Sequence, residues 1–247
     1  MMRTLDFNGD LGEGGERETE LLPFLTSASI ACGGHAGDAG TMRSTAAACL
    51  AHGVALGAHP SWPDRAGFGR REQTRSAAEV YALVREQITV LSGVVHPLGG
   101  RLRHVKPHGA LYNQAARDEI LAEAIARAVR DVDPALVLFG LSGSRLLAAG
   151  RACGLRVAAE VFADRTYQRD GSLTPRSHPG AVIESVAAAA TQVKRMLFEG
   201  TVGTVDGGEI SIQADTLCLH GDHPQAPTFA RRLHAELSAA GVLFKEP

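Results

Sequence analysis

The sequence has few aromatic residues and no strong charge of either sign. Of its 247 residues three are Tyr and one is Trp, and the formal net charge is −2. A chain with so little net charge has no global field to attract nucleic acid or an anionic membrane, and few rings on which bases could stack. We therefore expect no nucleic-acid and no membrane partner, and we expect a small molecule as the ligand.

Long apolar runs and closely paired cysteines are also missing. The longest apolar stretch, SVAAAATQV at 185–193, is far too short to span a bilayer. The first residues turn acidic without the apolar centre of a signal peptide. Cys32, Cys49, Cys153 and Cys218 are widely spaced, unlike the C-x-x-C pairs of a zinc ribbon. These absences predict a cytoplasmic protein, and they leave a homo-oligomer open.

The chain instead contains a regular alternation of short apolar runs with longer, alanine-rich segments. The short runs predict strands at 4–12, 27–33, 53–60, 102–109, 135–141, 155–163 and 215–222. The segments between them predict helices at 39–53, 76–93, 115–130, 143–152, 184–199 and 226–241. Strict alternation of this kind indicates βαβ units and a parallel sheet with right-handed crossovers.

The segment 201–213 departs from this alternation, with two β-type runs around Asp206, Gly207 and Gly208. It predicts a β-hairpin inserted before the last strand. No repeat or linker-like stretch interrupts the chain, so we predict a single domain over 1–247.

An open doubly wound sheet and a (β/α) barrel both fit the alternation. An open sheet concentrates its chemistry at one or two switch-point loops, whereas a barrel uses the carboxyl ends of many strands. Here polar side chains follow almost every predicted strand. We therefore predict a distorted or incomplete (β/α) barrel of about seven parallel strands.

The first three strand ends carry carboxylates, imidazoles and arginines. Asn8 and Asp10 alternate on one strand face, where they could hold a divalent metal or act as acid and base. The glycine-rich loop after strand 2 lets the backbone approach a ligand, and the arginine-rich loop after strand 3 suits carboxylate or phosphate recognition. The candidates in this half of the chain are Asn8, Asp10, Glu13, His35, His59, Arg70 and Arg71.

Strand 4 ends in VKPHGALYN, where Lys106 and His108 alternate onto one face and Gly109 permits a sharp exit. A buried lysine needs a carboxylate partner or a lowered pKa, and either is typical of an active site. The remaining candidates are Tyr112 and Asn113 after strand 4, Glu160, Asp164 and Arg165 after strand 6, and His220 and Asp222 after strand 7.

Acidic and basic side chains at so many strand ends indicate an enzyme, because those ends converge on one face of a barrel. LSGSR does not match the G-x-S-x-G elbow, and no H-E-x-x-H pair defines a metal site. The residue set suits activation of water at a carbonyl carbon, with or without a metal. For a divalent metal such as magnesium, the first candidate ligands are Asp10, His59 and His108.

Six blocks of sequence together resemble the LamB/YcsF family, in the family's order. They are DFNGDLGEG, ASIACGGHAGD, GAHPSWPDRAGFGRR, VKPHGALYN, AEVFADRTY and TLCLHGD. The polar motif positions that carry over are Asp10, Glu13, His35, His59, Lys106, His108, Glu160, Asp164, Arg165, His220 and Asp222.

This resemblance implies a barrel similar to the glycoside hydrolase/deacetylase superfamily. It also implies ATP-dependent opening of the lactam of 5-oxo-L-proline to L-glutamate, with ATP as co-substrate and two partner subunits, B and C. Two alternatives remain open from the residues themselves. One is a metal-dependent deacetylase or amidohydrolase acting alone, and the other is a non-catalytic protein that binds a small carboxylate.

Overall fold

The computed structural model of the protein describes residues 3–15, 17–219 and 226–246. Its framework is a set of parallel strands, most of whose residues are buried on both faces, as expected when helices cover a parallel sheet. The ten strands within these described ranges are β1 Arg3–Leu11, β2 Ser27–Ala31, β3 Ala55–His59, β4 Leu102–Val105, β5 Val137–Leu141, β6 Arg156–Phe162, β7 Thr201–Gly203, β8 Glu209–Ser211, β9 Thr216–Leu219 and β10 Val242–Phe244.

Seven of these strands close into a barrel in the order β1, β2, β3, β4, β5, β6, β9, with β9 pairing back onto β1. All seven pairings are parallel. The closure confirms the predicted barrel of about seven strands and excludes the open sheet. The barrel is distorted between β3 and β4, where the register shifts beside Gly57. There the ring of His104 occupies the space that a side chain at Gly57 would need.

The helices pack outside the barrel and bury their apolar faces against it. Two short 3-10 helices, at Glu18–Phe24 and His96–Leu98, complete the regular structure. The α-helices are α1 Ala39–Ala51, α2 Ala77–Val95, α3 Gly109–Arg117, α4 Glu119–Val132, α5 Arg145–Ala152, α6 Val186–Phe198 and α7 Ala226–Ala239. Among the described helices, none combines the length and apolar character that crossing a membrane requires.

The predicted hairpin is confirmed, because β7 and β8 pair antiparallel. A capping box begins α2, where the Ser76 hydroxyl accepts from the Glu79 amide and the Glu79 carboxylate accepts from the Ser76 amide. The prediction of one helix over 115–130 is wrong. Two helices lie there, and the break is at Asp118, whose carboxylate caps the start of α4 by accepting from the Leu121 amide.

One predicted strand is shorter in the structure, and one observed strand was not predicted. The strand predicted at 102–109 ends at Val105, although the Lys106 and His108 amides still donate to carbonyl oxygens of Ala58 and Pro60 at 2.9 and 2.8 Å. The short strand β10 was not predicted. It lies outside the barrel and pairs in parallel with the first residues of β1.

Candidate active site

A cavity of about 840 Å³ opens at the carboxyl ends of the barrel strands. This is the face on which barrel enzymes carry their chemistry. Its walls come from the strand ends and from the loops that follow β3, β4, β5 and β6. The charged and polar side chains at its floor are Asp10, Glu13, His59, Lys106, His108, Tyr112 and Glu160.

Lys106 is the centre of a buried ionic network on this floor. Its Nζ lies 2.7 Å from Asp10 Oδ1 and 3.0 Å from Glu160 Oε1. It also donates to Asn8 Oδ1 at 2.7 Å and approaches Cys218 Sγ at 3.3 Å. A buried charge needs such partners, because an unpaired ammonium in the interior would lose its hydration without compensation.

The surrounding carboxylates keep this lysine charged. Burial alone would lower the pKa of Lys106, but Asp10, Cys218 and Glu160 outweigh it and raise the pKa well above its usual range. Burial likewise acts to raise the pKa of Asp10, and the neighbouring His59 and Lys106 reverse that effect and hold it well below its usual range. The floor therefore presents a fixed ammonium group and a fixed carboxylate.

Beside this network lie Glu13 and three histidines, His35, His59 and His108. One ligand atom from each lies within 4.8 Å of the others, so the four residues could hold a metal ion. Glu13 Oε1 is 2.8 Å from His35 Nε2, 3.3 Å from His108 Nδ1 and 3.7 Å from His59 Nε2. We call this group the histidine cluster.

Backbone carbonyls orient two of the three imidazoles. His59 Nδ1 lies 2.7 Å from the Lys106 carbonyl oxygen, and His108 Nε2 lies 2.9 Å from the Phe68 carbonyl oxygen. Because a carbonyl can only accept, each of these ring nitrogens must carry a proton. The other nitrogens, His59 Nε2 and His108 Nδ1, lie 3.0 Å apart. If both carried only a lone pair they would repel each other, so this distance requires a proton on one of them or a cation bound to both.

The surroundings of the cluster favour uncharged imidazoles at His35 and His108. Burial and the nearby His59 lower the pKa of His35 to about 3, and burial, His59 and His35 lower that of His108 to about 3. Burial also acts to lower the pKa of His59, but Asp10, 3.4 Å away, outweighs it and raises the pKa. Neutral imidazoles with an inward lone pair and an outer N–H bound to a carbonyl are typical metal ligands.

Two glycines let the loops reach this cluster. Gly109 begins α3 with a φ of +57°, and a Cβ there would lie 2.7 Å from the Gly69 carbonyl oxygen. Gly69 has a φ of +64°, and a Cβ there would lie 2.9 Å from Cβ of His35 and 3.0 Å from Cδ2 of His108. The sharp exit predicted at Gly109 is therefore present, and it brings the β3 loop onto the two histidines.

The other predicted site residues lie in several places. Arg70, Tyr112, Asn113 and Arg165 line the cavity, while Asn8 lies beneath Lys106 and supports it. Arg165 is buried, and its guanidinium donates to the Thr174 and Ala181 carbonyls.

Two predicted residues lie away from the cavity walls, and two fall outside the described residues. Arg71 points outward, with its guanidinium 3.7 Å from Asp64, and it does not line the cavity. Asp164 is half-buried and does not line it either. His220 and Asp222 lie outside the described residues.

Several contributors were not predicted. Cys218 contacts Lys106, and the Thr216 hydroxyl accepts from Asn8 Nδ2 at 2.6 Å. Ser142 and Ser144, after β5, line the cavity. Along β9, Thr216 and Cys218 alternate with Leu217 and Leu219. This alternation could have predicted that Thr216 and Cys218 share one face of the strand.

The chain matches the LamB/YcsF family over residues 5–247. It belongs to this family. A relative from Geobacillus kaustophilus (strain HTA426), named as the A subunit of 5-oxoprolinase, is 56% identical over 250 residues, covering 100% of this chain and 98% of that protein. A crystal structure of a lactam utilization protein from Thermus thermophilus is similar with a TM-score of 0.91 at 45% identity, covering 98% of this chain and 99% of that one.

A more distant similarity concerns the fold alone. The catalytic domain of a peptidoglycan N-acetylglucosamine deacetylase from Eubacterium rectale ATCC 33656 has a TM-score of 0.53 at 10% identity, covering 100% of this chain and 89% of that one. The fold of this barrel is therefore similar to that of a deacetylase, as predicted.

Proposed function

We propose that this chain is the A subunit of a 5-oxoprolinase, which opens the lactam of 5-oxo-L-proline to L-glutamate together with subunits B and C, using ATP as co-substrate. The observation that carries the proposal is the buried Lys106, held between Asp10 and Glu160 beside the histidine cluster in a cavity wall. The names of the Geobacillus relative and of the Thermus protein support the same reaction class.

The ionic network suits the chemistry of a lactam. An amide is stabilised by resonance, so its cleavage requires activation of the carbonyl group, and ATP would supply this by phosphorylation of the amide oxygen. Lys106 keeps its proton, because its carboxylate partners raise its pKa. It therefore serves as a fixed positive charge for an oxygen that becomes negative, and not as a general base.

The remaining roles follow from position. Arg70 stands at the cavity wall, with its guanidinium carbon 5.0 Å from the centre of the Phe68 ring, and it is placed to bind a substrate carboxylate or a phosphate. Asp10 and His59 form a charged pair at 3.4 Å. We assign proton transfer to and from the attacking water to Asp10, which lines the cavity. His59 shares this role only while the histidine cluster holds no metal, because a metal-bound imidazole cannot carry a second proton.

The histidine cluster fits a divalent metal by its donor chemistry. Three imidazoles and one carboxylate favour a metal such as zinc over magnesium, which prefers oxygen ligands. When bound, such an ion would polarise a carbonyl oxygen or lower the pKa of a bound water. Of the first candidates for metal ligands, His59 and His108 belong to this cluster, whereas Asp10 is paired with Lys106.

Metal content of the purified chain tests this site. We expect about one equivalent of a transition metal per chain in the unaltered protein, and a loss of most of it in His35→Ala. His52→Ala is the matched control, because His52 is exposed at the end of α1. Equal metal content in the two variants would contradict the assignment.

The reaction itself is tested by glutamate formation from 5-oxo-L-proline and ATP, with the chain alone and with subunits B and C added. We expect glutamate only in the complete mixture. No glutamate in the complete mixture would contradict the proposed function.

A second candidate is a metal-dependent deacetylase or amidohydrolase that acts alone, and the histidine cluster is the observation that favours it. It predicts hydrolysis of a small amide by the metal-loaded chain without ATP and without partner subunits. The same assay, run without ATP on 5-oxo-L-proline and on N-acetylated substrates, separates the two functions.

A further inference from the structure

The loop after β3 contains a residue with an unusual backbone. Among the described residues, Phe68 is the one residue other than glycine with a positive φ, which is +53°. This left-handed conformation costs free energy for a bulky side chain, whereas glycine adopts it without strain. Backbone strain of this kind clusters at functional sites, so the ring of Phe68 calls for an explanation beyond folding.

Hydrogen bonds on both sides hold Phe68 in this conformation. The Phe68 amide donates to the Arg65 carbonyl oxygen at 3.2 Å, and the Gly69 amide donates to the Asp64 carbonyl oxygen at 2.8 Å. The Ala110 amide, in the first turn of α3, donates to the Gly69 carbonyl oxygen at 2.9 Å. The loop backbone therefore fixes the directions in which the ring and the carbonyl group of Phe68 point.

The ring of Phe68 contacts two members of the histidine cluster at once. The imidazoles of His35 and His108 stack in parallel, with ring centres 3.7 Å apart and an angle of 4° between their planes. The Phe68 ring stands nearly perpendicular to both, with its centre 5.3 Å from that of His35 and 5.4 Å from that of His108. Perpendicular ring pairs at such distances attract each other beyond the area that they bury. The Phe68 ring therefore restrains both imidazoles against rotation.

The carbonyl group of Phe68 orients His108 as well. Its oxygen lies 2.9 Å from His108 Nε2, which leaves His108 Nδ1 for the interior of the cluster. Glu13 Oε1 lies 3.3 Å from this Nδ1 and 2.8 Å from His35 Nε2. Two of the nitrogens that face Glu13 thus belong to the two rings that Phe68 contacts.

We propose that Phe68 is a positioning residue, which holds His35 and His108 in the arrangement that binds a divalent transition metal. The proposal deepens the proposed function and rests on the metal site assigned there. Rings that are already in place need not be ordered when the ion binds, so loss of the Phe68 ring lowers the affinity. Residues that orient metal ligands typically change metal affinity about 10- to 100-fold when they are replaced.

The test compares Phe68→Ala with Phe68→Gly in the full chain. Both variants lack the ring, but only glycine also relieves the strain, so Phe68→Gly should unfold at a higher urea concentration than Phe68→Ala. We nevertheless expect both to bind Zn²⁺ about 10-fold or more weakly than the unaltered protein, measured by competition with a chelator of known affinity. A residue that acted only through stability would instead give the higher Zn²⁺ affinity to the more stable variant.

The visible absorption spectrum of bound Co²⁺ is the second readout, because it depends on the number and arrangement of the ligands. We expect each folded Phe68 variant to give a spectrum that differs from that of the unaltered protein. Phe198→Ala is the matched control. Phe198 is 42% exposed at the end of α6, outside the cavity lining, and its replacement should change neither the Zn²⁺ affinity nor the Co²⁺ spectrum.

The outcomes separate this proposal from the proposed function. A Zn²⁺ affinity within about threefold of the unaltered protein in a folded Phe68 variant, or an unchanged Co²⁺ spectrum, would overturn the positioning role and leave the metal site standing. If Phe68→Ala fails to fold, Phe68→Gly decides, since its backbone is relaxed at this position. If the unaltered protein binds neither ion, the metal site and the positioning role are both wrong, and the glutamate assay still decides the proposed function.

Discussion

Two aspartates on the same face of β1, Asp6 and Asp10, have opposite surroundings. Asp6 accepts hydrogen bonds from three hydroxyls, those of Thr26, Ser27 and Thr216, at 2.6, 2.8 and 2.5 Å. Burial nevertheless outweighs these bonds and raises the pKa of Asp6 to about 6. Hydroxyl groups alone do not replace the hydration of a buried carboxylate.

Asp10, further along the same strand, meets cations instead. Lys106 Nζ lies at 2.7 Å and His59 Nε2 at 3.4 Å, and the pKa of Asp10 falls well below its usual range although burial opposes this. Two aspartates on one strand thus differ in proton affinity. It is raised at Asp6, inside the barrel, and lowered at Asp10, beside the cavity. This difference supports a structural role for Asp6 and our proposal of a chemical role for Asp10.

Removal of the Lys106 ammonium group should have the largest effect on the difference between Asp6 and Asp10. Lys106→Met retains most of the side-chain volume but removes the ammonium group that both Asp10 and Glu160 contact. We expect a loss of about 3–5 kcal/mol in the free energy of unfolding, measured by urea titration. Lys194→Met is the control, since Lys194 forms a partly exposed 3.5 Å pair with Glu236, and it should change stability by less than about 1 kcal/mol. Equal stability of Lys106→Met and the unaltered protein would contradict a stabilising role for the ion pairs of Lys106 with Asp10 and Glu160.

The pKa of Asp6 predicts a pH-dependent stability. Its folded-state pKa of about 6 exceeds the ordinary value of 3.8, so folding favours the protonated form. The contribution of Asp6 to stability is therefore fully present below about pH 4 and is lost as pH rises through about 6, a change of about 3 kcal/mol.

Asp6→Asn, which cannot ionise, should remove this dependence. Urea titrations of both proteins between pH 4 and pH 7 should show the unaltered protein losing stability relative to the variant as pH rises. A constant difference across this range would contradict the raised pKa.

A smaller effect concerns the loop that carries His108. Gly109→Ala forces a side chain into a left-handed conformation and against the Gly69 carbonyl oxygen, at 2.7 Å. We expect a loss of about 2 kcal/mol in unfolding free energy together with reduced turnover. Gly154→Ala is the control, because Gly154 has a φ of +80° but no atom within 4 Å of the added Cβ, and it should lose about 1 kcal/mol without loss of turnover. Equal losses of unfolding free energy and equal turnover in the two variants would contradict a role for the close contact between Gly109 and Gly69.

The barrel was predictable from the sequence because its signal is long-range and repeated. Seven apolar runs alternating with helical segments leave few topologies for a parallel sheet. The break between α3 and α4 was missed, because the capping residue Asp118 lies within an otherwise continuous helical pattern. The strand β10 was missed because it has three residues and depends on pairing with β1.

The sequence predicted which residues line the candidate site better than it predicted which of them contact one another. Strand alternation indicated that Lys106 and His108 share a face, and both do line the cavity. Which carboxylate meets which cation depended on loops, whose course the sequence pattern does not determine. Glu13 therefore contacts all three histidines, while Asp10 contacts Lys106 and, of the histidines in the cluster, only His59. Arg71 points outward, although its neighbour Arg70 lines the cavity.

The most direct test of chemistry at the carboxyl end of the barrel is glutamate formation by Asp10→Asn and Asp6→Asn in the assembled complex, at a temperature where both variants are folded. We predict that Asp10→Asn loses at least about 100-fold in turnover, because the carboxylate that pairs with Lys106 and His59 becomes neutral. Asp6→Asn should remain within about threefold of the unaltered complex, because Asp6 lies away from the cavity lining. Full turnover in Asp10→Asn, or equal losses in the two variants, would contradict the assignment of the reaction to this end of the barrel.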